Sequence, residues 1–192
     1  MTGQPHDALG PALRSLGRCA ARTTALIAEG RVHQPRGHVG QRYTFADGTT
    51  AAVYRETVVD RPPPMSPAVL VVRFRLRGVH RPGLHTLFRL ESELNTPLFV
   101  GFPGFVSKLW MRHDQHGYYR GLYDWDDTRL ATRYVRALWW ALRVVSPPDS
   151  IQAMVLPGLR RDDLLADLHL ADVAAPDEPE AWWRLAAVDV TV

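Results

Sequence analysis

The single lysine of the chain, Lys108, sits two residues before Trp110, and the next hydrophobic stretch carries Tyr119, Tyr123 and Trp125. An amine lodged among aromatic rings is disfavoured in its charged form, so partial burial lowers its pKa towards the range useful for proton transfer. A phenol beside it can bind or polarise a substrate oxygen. A ligand with an acidic or carbonyl group on a flat apolar body suits such surroundings. Lys108 and Tyr123 are therefore the candidate catalytic pair, with Trp110, Trp125, Tyr119 and Arg112 as candidate substrate-binding residues. The same residue types also describe a snorkelling lysine with aromatic filling at a sheet–helix or dimer interface. The sequence leaves both readings open.

Those residues need a hairpin to bring them together. Phe105 to His113 and Tyr118 to Trp125 read as strands joined by Asp114-Gln-His-Gly117, with glycine where a left-handed residue is needed. That turn predicts the pairs Arg112–Tyr119, Trp110–Gly121, Lys108–Tyr123 and Val106–Trp125. A side-chain period of two then places all eight on one face and Leu109, Met111, Arg120 and Leu122 on the other. Gly121 opposite Trp110 leaves room for the indole.

The elements around the hairpin follow in a definite order. Ala68 to Arg77 alternates Leu70, Val72, Phe74 and Leu76 with Val69, Val71, Arg73 and Arg75, the pattern of a strand. Leu84 to Leu94 has helical spacing and places His85, Arg89 and Glu93 at i, i+4 and i+8. They could form a polar relay into the same cavity, which adds His85 and Arg89 to the substrate-binding candidates, or simply an exposed helix face. Asp126 or Asp127 can cap a helix that runs to about Val145, with Leu130, Tyr134, Leu138, Ala141, Leu142 and Val145 on its apolar stripe. Pro147-Pro148 stops it, and Ser150 to Leu156 is the last strand. Residues 68–157 thus read as an α+β, ferredoxin-like β-α-β-β-α-β domain with both helices on one side of the sheet.

Two flanking segments remain. Residues 1–67 form an N-terminal extension: a helix from Asp7 to Glu29 ended by Gly30, a β-hairpin at 41–59 around Asp47-Gly48, and a proline-rich linker at 60–67. Residues 158–192 form a tail with a short helix from Arg161 to His169 and an apolar Ala-Trp182-Trp183-Arg-Leu185 run fit to dock. Trp139-Trp140 and Trp182-Trp183 cannot all be buried by their own helices, so contact with the extension or a partner subunit is expected.

Composition narrows the classes. The 192 residues hold 46% apolar and 22% charged residues with a net charge of +3, normal for a soluble globular chain. The 22 arginines are spread along the sequence with no accompanying motif, which argues against nucleic acid as a partner. No apolar run is long enough for a membrane span and no leader is visible, so the cytoplasm is the default location. Cys19 is the only cysteine and reads as a buried, inert thiol. His113 and His116 flank a turn without a third convergent ligand, so no metal site is assigned. There is no nucleotide loop, serine-nucleophile elbow or zinc motif, and no cofactor is expected.

The run Pro103-Gly-Phe-Val-Ser-Lys-Leu-Trp110, followed by Tyr119-Arg-Gly-Leu-Tyr-Asp-Trp125, resembles the PGFxxKxW…GGxYxF hairpin of YdhR-like monooxygenases in the dimeric α/β-barrel superfamily. Asn95-Thr-Pro-Leu-Phe-Val-Gly-Phe-Pro-Gly104 and Val155-Leu-Pro-Gly-Leu-Arg160 are similar to uncharacterised actinobacterial members. The resemblance covers about residues 68–160. It implies a ferredoxin-like fold, a homodimer, and a cofactor-independent, monooxygenase-like enzyme acting on an apolar or aromatic, polyketide-like molecule. The superfamily also includes polyketide cyclases, isomerases and members without known activity, so a cyclase and a non-catalytic ligand-binding or structural module stand beside the first reading. Two departures matter: Arg120 replaces the first glycine of the pair, and the hairpin at 41–59 could cover a face or edge that a minimal member uses for dimerisation.

Overall fold

The structure, a computed structural model, describes residues 9–77, 99–176, 178 and 180–189. The helix expected at 84–94, and with it the complete β-α-β-β-α-β order and the positions of His85 and Arg89, lies outside the described residues.

In chain order the elements are α1 (Leu9–Ala28), β1 (Val32–His33), β2 (Arg42–Phe45), β3 (Thr50–Val59), β4 (Ala68–Arg75), β5 (Phe105–Met111), β6 (Tyr118–Trp125), α2 (Thr128–Val145), β7 (Gln152–Pro157), α3 (Arg161–Ala166), α4 (Leu170–Ala174) and β8 (Leu185–Asp189). The result is a mixed α/β molecule on an antiparallel sheet ordered β7-β4-β6-β5-β3-β2-β8, with β1 also paired to β3. β3 therefore continues the sheet past β5, with Thr57 opposite Lys108 and Arg55 opposite Trp110.

Local chemistry explains most boundaries. Gly30 takes φ +69° at the end of α1, Gly48 takes +79° in the β2–β3 turn, and both conformations favour glycine. Asp127 caps α2 by accepting from the Arg129 and Leu130 N–H groups. The buried face of α2 is Ala131, Tyr134, Ala137, Leu138 and Leu142. Val145, expected on the apolar stripe, is 40% exposed at the last residue of the helix, where its carbonyl accepts from the Arg77 N–H at 2.8 Å.

The sheet has a core on each face. On the first, α1 and α2 pack over Leu70, Val72, Phe105, Trp110, Tyr123 and Trp125. A Cβ on Gly101 would lie 2.0 Å from the Cys19 carbonyl oxygen, so the loop before β5 touches the α1 backbone directly. On the second face the chain covers its own sheet. Tyr43, Phe45 and Val53 of the β2–β3 hairpin join Trp182, Trp183 and Leu185 over Val71, Leu109, Met111 and Leu122. The tryptophan pair lies in the bend before β8, not on a helix, and both rings are buried. The 60–67 segment is tied down by Arg61, which donates to the Phe105 carbonyl at 2.8 Å and pairs with Asp126.

Candidate functional site

β5 and β6 pair in the expected register at the centre of the hairpin: Trp110 opposite Gly121 and Lys108 opposite Tyr123. The ends differ. A bulge between Phe105 and Ser107 places Phe105, not Val106, opposite Trp125. The β5–β6 ladder ends at Met111–Arg120, and the Arg112 N–H donates instead to the Ala52 carbonyl of β3 at 2.9 Å. Arg112 is exposed, away from the lysine.

Lys108 is 5% exposed. Its Nζ lies 3.2 Å from the Trp110 ring centroid, 4.6 Å from that of Tyr123 and 4.9 Å from that of Phe99. Among the described residues no carboxylate or hydroxyl accepts a hydrogen bond from it. Burial, reinforced by the Arg55 charge, drives the amine pKa well below its ordinary value. Lys108 thus lies buried in an aromatic box in which its charged form is disfavoured.

The rest of the box is tightly packed. Trp110 Nε1 donates to Thr57 Oγ1 at 3.0 Å, and the Arg55 guanidinium carbon lies 4.0 Å from the same indole centroid. Tyr134 of α2 donates its hydroxyl to that of Tyr123 at 3.2 Å. Burial pushes both phenols above their usual range. Trp125 is fully buried and joins the group through Tyr134, ring centroids 4.8 Å apart. Tyr119 stacks on Phe74 at 6.0 Å and meets His113 edge-on at 5.5 Å, towards the hairpin tip. Lys108, Trp110 and Tyr123 are therefore brought together, Trp125 adjoins them, and Tyr119 and Arg112 are placed elsewhere.

On the opposite face lies a polar network that the sequence did not reveal. Glu56 of β3 is buried, with Oε2 on His38 Nδ1 at 2.8 Å and Oε1 on Arg161 Nη2 at 2.9 Å. Arg161, the first residue of α3, also donates to Ser107 Oγ at 2.9 Å. Burial pushes Glu56 up, but the His38 hydrogen bond and the Arg161 charge outweigh it and hold the carboxyl below its usual range. Asp124 behaves oppositely. Burial pushes it up to about 6 despite the nearby Arg160 and Arg161.

The alternating arginines on β4 also find partners. Arg73 pairs with Asp47 at 3.0 Å and lies 4.8 Å from both the Tyr118 and Trp182 ring centroids. Asp124 and Glu56 serve Arg160 and Arg161. Arg120, which stands where the resembling family has glycine, pairs with buried Asp114 and reaches Thr49 Oγ1 at 2.7 Å. It fastens the β5–β6 turn to the β2–β3 turn.

Two of the clefts lined by described residues bear on the site. One is a shallow apolar dimple between α2, β4 and β7, lined by Val72, Val135, Leu138 and Trp139. The other, of about 230 Å³, lies between the 34–39 loop and β3 and includes Arg36, Tyr54, Arg55 and Glu56. Neither is lined by Lys108 or Tyr123. Among the described residues no group of three or more His, Cys, Asp or Glu side chains could hold a metal ion. No helix there is long and apolar enough to cross a membrane.

No family model matches the chain, and no curated protein matches it. Among solved structures it is similar to an uncharacterized ferredoxin-fold protein from Listeria monocytogenes related to antibiotic biosynthesis monooxygenases. Identity is 12% and the TM-score 0.40, over 59% of this chain and 66% of that one. A monooxygenase-like protein from Listeria innocua gives 12% identity and a TM-score of 0.39 over the same shares. A structure described as a major regulator of staphylococcal pathogenesis gives 12% and 0.39, over 68% of this chain and 98% of that one. The chain spans just under two thirds of the length of each Listeria structure.

Proposed function

We propose that the protein is a small-molecule enzyme of monooxygenase-like kind, acting on an apolar or aromatic, polyketide-like substrate beside Lys108, with no resident cofactor. The observation that carries this reading is the Lys108 amine, buried among Trp110, Tyr123 and Phe99 and held well below its ordinary pKa. A neutral amine can take the proton of a phenol or an activated methylene, which becomes an anion while Lys108 becomes an ammonium. That anion is electron-rich enough to meet dioxygen directly or to close a ring, so oxygenase and cyclase chemistry begin with the same step. The aromatic faces hold the ammonium by cation–π attraction and keep water from quenching the anion. Tyr123 would supply a hydroxyl to the developing oxyanion, with Tyr134 orienting it.

The non-catalytic reading is favoured by a different observation. Trp125 and Tyr134 are fully buried and packed ring against ring, as filling would be. Native mass spectrometry of the purified chain, with oxygen uptake on a panel of dihydroxynaphthalenes, separates the two. The enzyme reading expects turnover that rises with pH through the Lys108 titration and is lost in Lys108→Met. A folded protein that neither retains an apolar ligand nor consumes oxygen or substrate leaves only the structural module.

A further inference from the structure

Lys108 is the only lysine of the chain, and its nitrogen is buried with no group among the described residues accepting a hydrogen bond from it. A buried ammonium keeps its proton by pairing with an acceptor. Here three ring faces stand in that place: Trp110 at 3.2 Å, Tyr123 at 4.6 Å and Phe99 at 4.9 Å from Nζ. A fixed cation lies close by, because the Arg55 guanidinium carbon is 4.0 Å from the centroid of the same Trp110 ring. An apolar site and a neighbouring cation are the two conditions that turn a lysine from an ammonium into a nucleophile. Both lower the amine pKa here, burial first and Arg55 second. Taking a proton uses the electron pair of the nitrogen, and the same pair can attack carbon.

We propose that Lys108 is a nucleophile that joins an apolar aldehyde or ketone as an imine. The bond from Nζ to the carbonyl carbon forms first and gives a carbinolamine. The carbonyl oxygen then leaves as water with both amine hydrogens, and no oxidant or reductant is consumed. Trp110 closes one side of the nitrogen, while Tyr123 and Phe99 stand further off, so a flat carbonyl compound meets the nitrogen on their side. Once protonated, the imine is a larger and less hydrated cation than an ammonium, and the ring faces attract it at a lower desolvation cost. This inference rests on the placing of substrate beside Lys108, but it needs no dioxygen.

Reductive trapping of the full chain with benzaldehyde and cyanoborohydride at pH 7, read by site-resolved mass spectrometry, tests it. With one lysine, the α-amine of the chain is the other reactive amine and serves as internal reference. An ordinary lysine is neutral in about one molecule in 2,500 at pH 7, against about one in ten for an α-amine, so it labels at least about a hundredfold more slowly. Folded Lys108 is expected to label within about tenfold of the α-amine. In urea its ordinary pKa returns, and labelling should fall at least about tenfold. Burial without nucleophilic character gives the reverse order, since unfolding then uncovers the amine. Glyceraldehyde, whose hydroxyls would enter the box without partners, should label Lys108 at least about tenfold less than benzaldehyde on the same reference. A folded Lys108 left unlabelled beside a labelled α-amine overturns the proposal, and so does faster labelling in urea or equal labelling by the two aldehydes. Oxygen uptake without the adduct would leave proton abstraction standing and this step refuted, whereas the adduct without uptake would do the converse.

Discussion

The Nζ of Lys108 lies 3.2 Å from the centroid of the Trp110 ring, closer than to either of the other two aromatic faces around it. The same indole carries the Arg55 guanidinium 4.0 Å from its centroid. One ring thus serves two cationic side chains in a buried setting, and the arginine, which stays charged, pushes the lysine towards neutrality.

Stability should therefore depend on pH through Lys108. Above the ordinary lysine value of 10.5 the amine is neutral in both folded and unfolded chains, and it contributes no pH dependence. As pH falls below that value the unfolded chain takes up a proton that the fold refuses, so stability is lost down to the folded pKa. Lys108→Met should remove this slope and raise stability at pH 7 by about 1–3 kcal/mol. Urea unfolding at pH 7 and pH 9.5 measures both effects, and parallel pH profiles for the two proteins would refute the assignment.

Glu56 has the opposite sign. Its folded pKa is depressed, so its contribution is present above the ordinary value of 4.5 and is lost as pH falls through the folded pKa. Glu56→Gln leaves Arg161 buried without this partner and should cost about 3–5 kcal/mol at pH 7. The gap between variant and parent should narrow below pH 4. Acid titrations followed by circular dichroism would show this convergence, and a constant gap would contradict it.

Gly101→Ala tests whether the N-terminal helix is integral to the fold. The new methyl would overlap the Cys19 carbonyl and stand 2.7 Å from the Thr23 nitrogen, both on the α1 backbone. Backbone cannot rotate aside as a side chain can, so α1 must lift, and a loss of about 3 kcal/mol or more is expected. Hydrogen exchange should quicken over α1 while β4 and β6 keep their protection. Unchanged exchange in α1 would mean that its contact with the loop is dispensable.

The hairpin at the centre of the site was legible because its information is local. A four-residue turn and a period of two fix which side chains face Lys108, and the structure departs at the two ends, at the bulge of Phe105–Ser107 and where Arg112 turns to β3. The 41–59 hairpin was legible for the same reason, from Asp47-Gly48. What sequence pattern does not carry is which strand lies beside which. The pairing of β3 with β5 brings Arg55 and Thr57 to Trp110 and Glu56 to Arg161, yet nothing in residues 50–59 names β5 as neighbour. The pattern of β3 does not mark Glu56 as an inward carboxylate either, because residues 55, 56 and 57 are all buried and the alternation breaks there. It could not have named Arg161, which approaches from a separate helix.

The pairing of β2 with β8 has a consequence in time. Arg42 is matched with Asp189 and Tyr43 with Val188, so the β2–β3 hairpin waits for all the elements between β3 and β8 before β2 gains its second neighbour. Closing so long a loop is entropically costly and slow. During synthesis the β4–β6 region can form while Trp182 and Trp183 are still inside the ribosome. The part of the second face that Trp182, Trp183 and Leu185 cover would then stay open until those residues emerge. A nascent chain of this design passes through a sticky, half-clothed intermediate, and its yield depends on how quickly β8 arrives.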